Sequence, residues 1–68
     1  MKIVTTSPLA TQFPIGAKVI NLGDTVAYVK AYIDHGEGYY GLLLHQKRPD
    51  GKFRRTHWEA SPKMTRLA

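Results

Sequence analysis

Five cations, Lys47, Arg48, Lys52, Arg54 and Arg55, fall in the segment 47–55 and flank Pro49-Asp50-Gly51. Cations at this density neutralise phosphates, and each neutralised phosphate releases condensed counterions. A sixth, Lys30, stands between Tyr28 and Tyr32, and Tyr39 follows a glycine-rich stretch. Aromatic faces stack on unpaired bases. Phosphate contacts by the six cations and stacking by Tyr28, Tyr32 and Tyr39 therefore predict a surface for nucleic acid, DNA or RNA. Arginine can contact guanine edges, but no docking element for base-specific readout is evident. Two plainer readings compete. Charges on a hairpin also discourage edge-to-edge pairing, and tyrosines suit any half-buried pleated surface. A third reading gives the basic face an acidic protein partner, with the aromatics as anchors, as in a small accessory or inhibitory factor.

Other chemistry is poorly supported. His35, His45 and His57 are spaced by ten and twelve residues, which matches no local metal motif. Asp34-His35-Gly36-Glu37 holds groups able to act as a base but offers no neighbouring nucleophile, so a non-enzymatic protein is expected, without catalytic residues, cofactor or metal. An aromatic cage for methylated lysine would need Tyr28, Tyr32, Tyr39, Trp58 and Asp34 to cluster. Trp58 is expected in the core, where a chain with few large side chains needs its area.

These residues must be carried by a small scaffold. A chain of 68 residues buries only about 60% of its unfolded surface, and without cysteine it has neither disulfides nor thiolate metal sites. A regular fold or self-association is left to supply stability. The absence of cysteine fits a reducing cytosol, the start MKIVTTSPLA is too polar for a signal peptide, and no apolar run approaches a membrane span. A cytoplasmic location with no membrane partner is expected. The net charge of +5 is uneven: residues 1–34 carry +1 and residues 35–68 carry +4, which favours a polyanionic partner.

Along the chain, residues 1–14 read as an N-terminal arm or edge strand. A short strand at Lys2–Thr5 is possible before Ser7-Pro8 and Phe13-Pro14 interrupt pairing. From Ile15 to Ile20 a period of two appears, and Asn21 to Asp24 is turn chemistry. Thr25 to Asp34 also suits a helix, but its β-branched residues and tyrosines favour a strand. Alternation places Ala27, Val29, Ala31 and Ile33 on one face, and Val26, Tyr28, Lys30, Tyr32 and Asp34 on the other. The next strand turns Tyr40, Leu42 and Leu44 one way, and Tyr39, Leu43, His45 and Lys47 the other. An outward Leu43 is a possible homodimer contact, unless a bulge turns it in. Arg48-Pro49-Asp50-Gly51 presets a turn, and Lys52 to Trp58 returns as a strand. Alternation sends one of Arg54 and Arg55 away from the outer face, to pair with an acid such as Glu59 or lie in a polar gap. Glu59 to Pro62 reads as one helical turn, and Lys63 to Leu67 as a closing strand.

The predicted class is all-β, a small barrel of about five strands over residues 15–68, with one short helical turn before the last. FPIGAKV, GYYGLLL and THWEASPKMTRL, across residues 13–68, resemble SH3-like barrels of the Tudor and KOW type. The first and last of these stretches are also similar to the plasmid-encoded dihydrofolate reductases, tetramers of SH3-like barrels. Their Val-Gln-Ile-Tyr catalytic segment is replaced here by Arg54-Arg55-Thr56-His57. The resemblance thus implies the barrel and not the reductase activity. It also raises an oligomer whose site forms only at subunit junctions.

Overall fold

Short alternating runs separated by glycine turns fold as antiparallel strands, because each run can bury one face while the next returns beside it. The computed structural model describes residues 1–68 and contains strands β1 (Lys2–Val4), β2 (Lys18–Asn21), β3 (Thr25–Asp34), β4 (Tyr40–Lys47), β5 (Phe53–Ala60) and β6 (Thr65–Leu67). Two 3₁₀ turns, Pro8–Thr11 and Pro62–Met64, complete it. Each starts on a serine whose hydroxyl accepts an amide, Ser7 from Leu9 and Ser61 from Lys63, with proline in the first turn. The second turn lies later than Glu59–Pro62, because β5 remains extended through Ala60. Likewise Ile15 to Ala17 forms a turn, and β2 begins only at Lys18.

The sheet has the order β5-β4-β3-β2-β6, with β1 on the remaining edge of β3. All pairs are antiparallel. It is not closed into a barrel, because β5 and β6 do not pair. The expected barrel is thus an open sheet. Three links still draw its ends together. The Trp58 indole donates to Asn21 at 3.2 Å, Asn21 donates to the Thr65 hydroxyl at 3.1 Å, and the Thr65 hydroxyl donates to the Ser61 carbonyl at 2.8 Å. β5, β2 and β6 therefore share one polar knot beside the core, against which Trp58 packs.

The main core joins Val19, Ala27, Val29, Tyr32, Leu42, Leu44 and Ala60 with Phe13, which enters from the segment before β2. One β-bulge explains how Tyr32 comes to be there. Val29 faces Leu44 while Ala31 faces Leu43, so β3 carries one extra residue, Lys30. Past a bulge the inside and outside positions exchange. Ala31 and Ile33, expected inside with Val29, turn out and join Leu43 in a separate small cluster. Tyr32, expected outside, turns in and is fully buried. Leu43 does face away from the main core, but it is covered within that second cluster, so it offers no free apolar contact for a homodimer.

The buried Tyr32 hydroxyl donates to the Phe13 carbonyl at 2.6 Å, and burial raises its pKa. Tyr32→Phe strands that carbonyl, and it is expected to cost about 1–3 kcal/mol, read as a lower urea midpoint with an unchanged slope. No helix is long and apolar enough to cross a membrane.

Candidate nucleic-acid interface

The face of β3, β4 and β5 opposite the core is where the sequence-predicted chemistry gathers. Tyr28 lies between core residues Ala27 and Val29, and His45 follows core residue Leu44, so both point outward. They are direct partners in the β3–β4 register, and His45 is in turn partnered by His57 of β5. The β4–β5 hairpin turns at Arg48-Pro49-Asp50-Gly51. Gly51 has a φ of 87°, which a residue without Cβ adopts freely, and its amide donates to the Arg48 carbonyl at 2.9 Å. The Asp50 carboxylate accepts the Lys52 amide and meets Arg48 at 3.4 Å.

Beyond this turn the register slips. Lys47 faces Phe53, yet His45 faces His57. β5 therefore has two more residues than β4 in this interval, and Arg54, Arg55 and Thr56 are left without ladder partners. The shift of two preserves the parity of the faces, so Phe53 arrives on the outer side with His57. The Phe53 ring lies flat on His45, with centroids 3.9 Å apart and planes 5° apart. It meets Tyr28 edge-on at 5.8 Å and 79°. The Lys47 ammonium stands 4.6 Å from the Tyr28 ring centre and 5.5 Å from that of Phe53, and Lys30 Nζ lies 3.3 Å from His57 Nδ1.

Two open hollows flank these rings. One, of about 460 Å³, is lined by Phe53 with Arg48, Lys52, Arg54 and Arg55 among others. The other, of about 300 Å³, is lined by Tyr28 with Lys18, Lys47 and Arg54. Arg54 borders both, and neither contains a carboxylate. Among the chain's 10 lysines and arginines only Arg48 has a carboxylate partner. Neither Arg54 nor Arg55 pairs with Glu59, which instead reaches His35 at 2.5 Å. Unpaired cations crowded together repel, and an arriving anion relieves that repulsion.

Of the sequence-predicted residues, Tyr28, Lys30 and Lys47 meet on the sheet, and Arg48, Lys52, Arg54 and Arg55 sit at the hairpin beside them. Tyr32 is in the core. Tyr39, 68% exposed, sits apart, its ring 5.5 Å from that of His35. Lys18, His45, Phe53 and His57 also belong to the surface, beyond the contacts that the sequence predicts. Counting outward and inward positions back from Trp58 would have placed Phe53 on the outer side.

Burial lowers the His45 pKa from the ordinary 6.5, and Lys30 and His57 push it the same way. In the free protein His45 thus resists protonation. The unfolded chain takes up that proton first as pH falls below 6.5, so stability decreases on acidification through this window. A phosphate beside His45 reverses the local field and favours the imidazolium. Any phosphate-bearing ligand held beside His45 is therefore expected to bind more tightly as pH falls below 6.5, with proton uptake measurable by calorimetry in two buffers. His45→Phe keeps the stack on Phe53 and is expected to flatten that pH dependence.

The molecule is thus an all-β domain with one cationic and aromatic face. No protein-family model, curated protein or solved structure matches the chain.

Proposed function

We propose that this chain is a nucleic-acid-binding domain built on an SH3-like open sheet, of the Tudor and KOW type. The order β6-β2-β3-β4-β5, with a 3₁₀ turn leading into the last strand, supports that fold reading. The observation that carries the functional reading is the convergence of cationic hollows with no carboxylate in their lining on the exposed Phe53 and the half-buried Tyr28. Phosphates are met by Lys18, Lys30, Lys47, Lys52, Arg54 and Arg55, and Tyr28 and Phe53 supply surfaces for bases. The domain acts by binding.

The test is a titration of a labelled oligonucleotide at several salt concentrations. Neutralising four to six phosphates predicts a slope of log K against log salt between roughly −3 and −5. Binding that is absent at low salt, or indifferent to salt, defeats the reading. Polyglutamate serves as the competitor: displacement at equal charge concentration would favour an acidic protein as the partner instead.

A further inference from the structure

The two rings of the interface are nearly perpendicular, at 79° with centroids 5.8 Å apart. Bases in a duplex are parallel and stacked on one another, so two neighbouring bases cannot lie on rings so arranged while remaining in a duplex. Each ring, moreover, has its own set of cations. Phe53 shares its hollow with Arg48, Lys52, Arg54 and Arg55, and Tyr28 shares its hollow with Lys18, Lys47 and Arg54. One ring plus a few cations matches the chemistry of one nucleotide, a planar base and an anionic phosphate. The arrangement occurs twice, with Arg54 common to both.

We infer that this surface selects a single strand and holds it kinked, with adjacent bases turned onto Tyr28 and Phe53 and the phosphate between them met by Arg54. The inference rests on the nucleic-acid reading above and gives it a substrate class. Phe53 suits the role because it is 43% exposed amid charged neighbours, although it is among the larger apolar side chains. A protein that only followed a duplex backbone would gain nothing from a partly exposed phenyl ring, since phosphate contacts carry that binding. His45 stacked on one face of Phe53 holds the ring flat, so a base extends an existing stack rather than ordering a free side chain. Lys47 contacts the Tyr28 ring through a cation–π interaction, weak at an exposed site, and it can swing to the phosphate when a base takes its place.

Fluorescence anisotropy with unstructured 12-nucleotide thymidine and uridine strands, and with a DNA and an RNA duplex of equal length, tests this. The single strands are expected to bind at least ~10-fold more tightly than either duplex at the same salt. Phe53→Leu, which keeps an apolar side chain but no stacking face, is expected to weaken single-strand binding by roughly 5–150-fold, the range for one stacked base. Tyr28→Leu makes an independent second variant, and circular dichroism confirms that each is folded. Equal affinity for strands and duplexes, or Phe53→Leu and Tyr28→Leu variants that bind single strands like the parent, overturns the single-strand inference while leaving the polyanion reading intact. No binding to any of the four at low salt overturns both.

Discussion

Phe13→Ala is expected to leave the chain unfolded at room temperature. Phe13 belongs to no strand, yet it is fully buried among Val19, Val29, Tyr32, Leu42 and Leu44. Its amide donates to the Leu9 carbonyl at 2.7 Å, ending the first 3₁₀ turn, and its carbonyl accepts the Tyr32 hydroxyl. Truncating a buried phenylalanine costs about 3–5 kcal/mol through lost transfer energy and the cavity left behind. A core of this size supplies roughly the same amount, so the variant has nothing in reserve. Loss of the far-ultraviolet β signal and collapse of amide chemical-shift dispersion would register the change. Phe13→Leu, which leaves a smaller cavity, is expected to cost less than Phe13→Ala and remain folded. A folded Phe13→Ala protein of ordinary stability would show that the segment before β2 contributes far less than its burial implies.

The largest functional effect is expected from Lys47, Arg54 and Arg55 changed together to glutamine. Each phosphate contact contributes about 0.7 to the salt slope on a single strand and about 0.9 on a duplex. Losing three flattens the slope by roughly 2–3 and weakens binding by about 10³-fold near 50 mM salt. A triple variant at Lys2, Lys63 and Arg66 removes the same charge from residues that line neither hollow. It is expected to weaken binding far less. Equal losses in the two triples would mean that net charge, rather than this surface, governs affinity.

Much of the strand layout could be read from the residues, and the reasons are local. Gly51 and the Pro49-Asp50 pair mark the β4–β5 turn, and Leu42 and Leu44 mark the inside of β4, because turn chemistry and alternation act over a few positions. The bulge at Lys30 left no such mark. A bulge is decided by how two strands fit around a shared core, and nothing in TVAYVKAYID distinguishes ten regular residues from nine with one extra. Plain alternation therefore puts the positions of β3 past it on the opposite face and makes Tyr32 a surface ring, whereas Tyr32 is buried. The open β5–β6 boundary depends likewise on the whole sheet. The interface was half legible: the charge cluster around Arg54 and Arg55 stands out in one dimension. The pairing of Phe53 with His45 and Tyr28 required the two-residue slip in β5, which no local rule announces.

That slip also bears on what happens when many copies of the chain are crowded together. β5 has a neighbour on one flank only, and an unprotected flank of eight residues is a template on which further chains add, ending in fibres. A growing fibre needs an uninterrupted row of amides at regular intervals. Arg54 to Thr56 lie in the irregular stretch near the start of that row and set like charges where a newcomer would have to dock, so this edge is expected to resist adding further chains.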